Sequence, residues 1–98
     1  MCKVRTVRVV VHGIVQGVGF RYFALRQANA LGLAGTVRNL PDGRTVEVIA
    51  QGDEPDIATY VEELMRGPAG GYVESVDVQE TPTAEQMFRF RIVGPTGD

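Results

Sequence analysis

The chain has 98 residues, 44 % hydrophobic and 22 % charged, with a single cysteine and a formal net charge of −2. These values exclude a second domain, a disordered or collagen-like chain and a disulfide scaffold. No apolar run approaches the roughly 18 residues of a membrane-crossing helix, and Met1-Cys2-Lys3-Val4-Arg5 lacks the apolar block of a secretory signal, so one cytoplasmic domain over 1–98 with no membrane partner is expected. Cys2 is read either as an inert residue at a frayed end or as a thiol that links two copies on oxidation. The small net charge hides an asymmetry. Residues 1–50 carry Lys3, Arg5, Arg8, Arg21, Arg26, Arg38 and Arg44 against Asp42 and Glu47, whereas residues 51–98 carry Arg66, Arg89 and Arg91 against all the other acids. A chain of this balance does not coat nucleic acid, yet its first half can hold a small anion.

Val7, Val9 and Val11 alternate with Arg8, Val10 and His12, the period of a strand, and Gly13 is expected to end it. From Phe20 the apolar residues recur at three- and four-residue steps, through Ala24, Ala28 and Leu31, which predicts a helix closed by Gly32. Thr36-Val37-Arg38 and Thr45 to Gln51 read as two strands, the second with Val46, Val48 and Ala50 on one face and Glu47 on the other. Asn39-Leu40-Pro41-Asp42-Gly43-Arg44 joins them as a hairpin. Asp53 or Glu54 is expected to cap a second helix with Pro55 in its first turn, a stripe of Ile57, Val61 and Leu64, and a stop at Gly67-Pro68. Val76 and Val78 alternate with Asp77 and Gln79 in a fourth strand. Phe88, Phe90 and Ile92 alternate with Arg89, Arg91 and Val93 in a fifth.

The order β-α-β-β-α-β plus a terminal strand predicts an α+β, ferredoxin-like two-layer sandwich: a mostly antiparallel sheet in the order 4-1-3-2 with both helices on one face. The place of the fifth strand is left open. This topology serves RNA binders, metal chaperones and enzymes alike, so function must be read from a site.

Gly13-Ile14-Val15-Gln16-Gly17-Val18-Gly19-Phe20-Arg21 connects the first strand to the first helix and holds three glycines within seven residues. Such a run lets successive N–H groups turn inward, and the helix start adds unpaired amides and a positive dipole end, which together make an anion nest. Arg21 in the first turn adds a planar fork for two phosphoryl oxygens. Each feature alone also fits a simple tight turn or a solvated cation. The spacing is neither Gly-x-x-x-x-Gly-Lys-Ser/Thr nor Gly-x-Gly-x-x-Gly, so nucleotide binding by those motifs is not supported. Because the first two strands run parallel in this topology, Asn39 emerges at the same sheet edge as the loop. Its carboxamide can orient a water molecule, although an Asn at a strand end also suits a turn. His12, the sole histidine, is read as a hydrogen-bonded strand residue rather than a base. Glu47, Asp42 and Arg38 are read as hairpin or sheet-surface groups, and Tyr22 and Phe23 as packing or surface residues. No carboxylate cluster or His/Cys pair has metal-ligand spacing, so no metal is expected.

Val15-Gln16-Gly17-Val18-Gly19-Phe20-Arg21, followed by Gly35-Thr36-Val37-Arg38-Asn39-Leu40-Pro41-Asp42-Gly43 and a Val/Glu strand, resembles the two signature segments of the acylphosphatase family. The likeness extends over nearly the whole chain, through the closing Phe88-Arg89-Phe90-Arg91-Ile92 strand. One departure is Thr36, where the family often has an aromatic residue; it bears on packing under the second strand, not on the chemistry. The resemblance implies a cytoplasmic, cofactor-free hydrolase of small acyl phosphates, expected as a monomer without nucleic acid. In it the amides of Val15, Gln16, Gly17, Val18, Gly19 and Phe20 bind the phosphoryl group with Arg21, and Asn39 positions the attacking water. Two readings of other classes compete. A non-enzymatic anion-binding module has precedent in acylphosphatase-like segments of larger hydrogenase maturation factors. An RNA-binding sheet would need exposed central aromatics, which Val7, Val9, Val46 and Val48 do not supply.

Overall fold

In the computed structural model, which describes residues 4–81 and 85–94, the elements run β1 (Val4–Ile14), α1 (Phe20–Ala30), β2 (Ala34–Asn39), β3 (Thr45–Asp53), α2 (Glu54–Arg66), β4 (Tyr72–Glu80) and β5 (Phe90–Ile92). Cys2 and residues 82–84 and 95–98 lie outside the described set. The sheet order is β4-β1-β3-β2-β5. The expected core order 4-1-3-2 is therefore present, and β5 takes the outer edge beside β2, parallel to it, with Gly35 opposite Phe90 and Val37 opposite Ile92. β3 is antiparallel to both β1 and β2, so β1 and β2 run the same way and end at one edge.

Alternation along the strands decides which side the helices cover. Val7, Val9 and Val11 of β1 and Val46, Val48 and Ala50 of β3 are fully buried, under Phe20, Ala24 and Ala28 of α1 and Ile57, Tyr60 and Leu64 of α2. Tyr60 extends the stripe beyond what apolar spacing indicated: its hydroxyl donates to the Ala24 carbonyl at 2.8 Å, which lets a polar-tipped ring sit in the core and ties the two helices together. Val61 is only half-buried at the margin of that core.

Three expectations need correction. Gly13 does not end the first strand; β1 continues to Ile14 through a bulge at His12/Gly13. A Cβ at Gly13 would lie 2.2 Å from the Tyr72 carbonyl oxygen, so the close approach of β4 is the reason for glycine there. Phe88 does not join the buried face of the last strand and is 86 % exposed. The Gln51 side chain donates to the Glu85 carbonyl at 2.9 Å and accepts from the Met87 amide at 2.7 Å, so the preceding segment is held at β3 and the strand begins only at Phe90. Glu47 is not a surface group: it is 8 % exposed on the helix-free face, where its oxygens accept from Arg8 Nε at 2.6 Å and Arg38 Nε at 2.8 Å. Thr36 lies on that same face opposite Arg91, while Val37 fills the core, so the departure from an aromatic residue leaves packing under β2 intact.

Burial pushes the Glu47 carboxyl up, but the Arg38 and Arg8 guanidiniums outweigh it and leave it below its ordinary value of 4.5. A folded value below the unfolded one contributes stability that is complete above about 4.5 and lost as pH falls through the folded value. Urea unfolding should therefore show stability declining below that pH. Glu47→Gln should flatten this decline and cost roughly 1–3 kcal/mol at neutral pH.

Candidate active site

The connection from β1 to α1 is anchored at both ends by side chains with no other role than packing. Val15 and Phe20 are both buried in the core, and the Phe20 ring lies 5.8 Å from that of Phe23. Between them Gln16 is half-buried, Gly17 and Gly19 are exposed, and Val18 rests on the core margin. Gly17 and Gly19 have φ of 75° and 80°, with open space where a Cβ would stand, so conformation rather than crowding requires glycine at both. Gly19 is the residue before α1, and it offers no capping side chain.

The two helix starts differ in a telling way. α2 begins with Glu54 and Asp56 in its first turn, negative charge where the helix dipole favours it. α1 has no acid in its first turn and places Arg21 there instead. Among the described residues Arg21 has no hydrogen-bond or ion-pair partner, although it is half-buried. Uncapped amides and a guanidinium without a partner among the described residues thus share the first turn of α1, a combination that a bound anion would satisfy.

Asn39 is the last residue of β2, paired with Val46 across the hairpin. Its Oδ1 is buried and has no hydrogen-bond partner among the described residues. Buried acceptors are nearly always satisfied, so this one points to a donor such as a water molecule. The parallel course of β1 and β2 brings Asn39 to the edge that carries the loop, as expected. Two contacts fasten the loop to that hairpin. The Gly13 amide donates to the Arg44 carbonyl at 3.1 Å, and Gln16 Nε2 donates to the carbonyls of Leu40 at 2.8 Å and Thr45 at 2.9 Å. The Gln16 side chain is a feature that sequence reasoning missed, having assigned this residue only its amide; nothing local marks a glutamine in a glycine loop as a cross-brace.

The remaining candidates fall into structural roles. His12 Nδ1 lies 3.3 Å from Thr45 Oγ1 and Nε2 lies 3.3 Å from Asp77 Oδ2, so both ring nitrogens are engaged on the sheet face. Asp42 accepts from the Thr45 hydroxyl and from the Arg44 amide, contacts that hold its carboxyl below the usual range and close the hairpin. Tyr22 is exposed on α1 and Phe23 packs on the core margin. A groove of about 1090 Å³ exists, but it lies at the opposite edge, between Arg5, Gln51, Glu80 and Met87, away from the loop and Asn39. Among the described residues no group of three or more His, Cys, Asp or Glu is arranged to hold a metal, and no helix is long and apolar enough to cross a membrane.

Comparison with known proteins adds to this geometry. A family model described as acylphosphatase matches residues 7–92. The acylphosphatase of Caldivirga maquilingensis is 48 % identical over 86 residues, covering 88 % of this chain and 90 % of that protein. The crystal structure of acylphosphatase from Bacillus subtilis superposes with a TM-score of 0.87 at 41 % identity, over 93 % of this chain and 99 % of that one. The HypF structure from T. kodakarensis is also similar, with a TM-score of 0.80 at 32 % identity, over 91 % of this chain but only 12 % of that one.

Proposed function

Since this chain belongs to the acylphosphatase family and hydrolyses acyl phosphates to carboxylate and inorganic phosphate, we propose that the amides of residues 15–20 and the Arg21 guanidinium hold the phosphoryl group while Asn39 orients the attacking water. An acyl phosphate is a mixed anhydride whose leaving group is a carboxylate, a weak base near neutral pH. No side chain has to protonate it. The water oxygen bonds to phosphorus, the bond from phosphorus to the acyl oxygen breaks, and the water proton passes to a phosphoryl oxygen. Catalysis then consists of neutralising charge on the phosphoryl oxygens and holding the nucleophile in line, tasks for fixed donors rather than for an acid-base pair.

The observation that carries this reading is that, among the described residues, neither Arg21 at the uncapped start of α1 nor Asn39 Oδ1 at the same sheet edge has a partner. His12 is not needed as a base, and its ring is engaged with Thr45 and Asp77. The same reading takes the chain as one domain over 1–98, a monomer working in the cytoplasm on a small substrate without nucleic acid; one cysteine in 98 residues fits a reducing compartment.

Inorganic phosphate tests the placement. It should inhibit competitively, and in an amide NMR titration the largest shifts should fall on residues 15–20 and the Arg21 side chain. A chelator should leave turnover unchanged. Phosphate that competes with substrate while shifting other residues, or activity lost to the chelator and restored by a divalent cation, would count against the proposal.

A further inference from the structure

We propose that the Gln16 side chain is a positioning residue, one that sets the separation between the phosphate loop and the hairpin bearing Asn39. This rests on the roles assigned above to the loop, Arg21 and Asn39. Phosphoryl group and water are held by different segments of the chain: one by the loop after β1, the other by the end of β2. In-line attack depends on the distance between those segments, and β1 and β2 do not touch, because β3 lies between them. Gln16 spans the gap. Its amide nitrogen donates one hydrogen to the Leu40 carbonyl at 2.8 Å and the other to the Thr45 carbonyl at 2.9 Å, so both donors are committed to the hairpin. The Thr45 carbonyl also accepts from the Leu40 amide at 2.9 Å, the bond that closes the hairpin one residue after Asn39. Gln16 therefore grips the hairpin at its base, next to the residue that orients the water.

Only a carboxamide of this length fits. A methionine has nearly the same size but no donor. A glutamate has the same shape but at neutral pH presents oxygen to two carbonyl oxygens. Among the described residues the Gln16 backbone amide donates to no backbone carbonyl, so brace and nest are separable parts of one residue. Gly13 to Arg44 forms a second tie to the hairpin and keeps the fold closed when the brace is lost.

Gln16→Met should lower kcat about 10–100-fold, the scale for misplacing a reacting group by around 1 Å. Its inhibition constant for inorganic phosphate should stay within about threefold of the parent, because the nest and Arg21 are untouched. Gln16→Glu, the second variant should the first fail to fold, should behave alike at neutral pH. The decisive measurement is a double-mutant cycle. In an Asn39→Ala background Gln16→Met should change kcat by no more than about twofold, since the brace has no oriented water left to place. An unchanged kcat in a folded Gln16 variant would overturn the proposal. So would a loss that persists in full without Asn39, or one accompanied by equal loss of phosphate binding. An Asn39→Ala protein of normal activity would instead overturn the water-positioning role itself, a separate result.

Discussion

Arg21→Ala should lower turnover of a simple aryl acyl phosphate by on the order of 10³-fold or more, the scale on which a single arginine stabilises a transferring phosphoryl group. Among the described residues this charge has no internal use. Arg8 and Arg38 grip Glu47, Arg5 meets Glu80, and Arg44 lies 3.8 Å from Glu74, whereas Arg21 has no such partner among the described residues and sits where the helix dipole disfavours a cation. Replacing it should therefore cost little stability and act as a pure loss of anion binding: kcat falls and competitive inhibition by phosphate weakens together. Arg21→Lys should recover little, because an ammonium is a point charge without the planar fork that matches two phosphoryl oxygens. Steady-state kinetics with phosphate as inhibitor, alongside thermal melts, would check this. A lysine variant with most of the parent activity would mean that net charge, not fork geometry, is what the site requires.

Asn39→Ala should lose roughly 10²–10³-fold in kcat, the scale for one preorganised polar group, while leaving the phosphate inhibition constant near that of the parent. That split follows from its position. The carboxamide stands at the end of β2, outside the loop proposed to carry the anion, and in that proposal acts on the nucleophile alone. Its stability effect should be small. Oδ1 is buried without a hydrogen-bond partner among the described residues, so its removal breaks no bond between them. Melting temperature nearly unchanged, with kcat lost, is the expected pair of results. Turnover at the parent level would show that the water is placed by another group.

Much of this molecule was legible in one dimension. The alternation of Val7, Val9 and Val11, the three- and four-residue steps of Phe20, Ala24 and Ala28, and the turn chemistry between Asn39 and Thr45 produced the element order and the neighbour relations of four strands. Reading Gly13 as a terminator went wrong because a glycine in a strand can equally mark a bulge; only the approach of Tyr72 distinguishes the two. Phe88 went wrong because alternation was extended through a segment that Gln51 holds away from strand geometry. The candidate residues Arg21 and Asn39 were found from local spacing and from the parallel course of their strands, which places both at one edge without any knowledge of side-chain contacts.

What the amino-acid order determined by itself was therefore whatever depends on neighbours a few residues apart: periodicity, turn residues, the glycine loop and the charge set in the first turn of α1. The tertiary structure alone decided that β5 lies against β2, that Glu47 is enclosed by Arg8 and Arg38, that Tyr60 reaches Ala24, and that Gln16 braces the hairpin. Each of those joins groups from different elements, and their partners are set by strand register and helix packing, which bring distant segments within hydrogen-bond reach only after the sheet has formed.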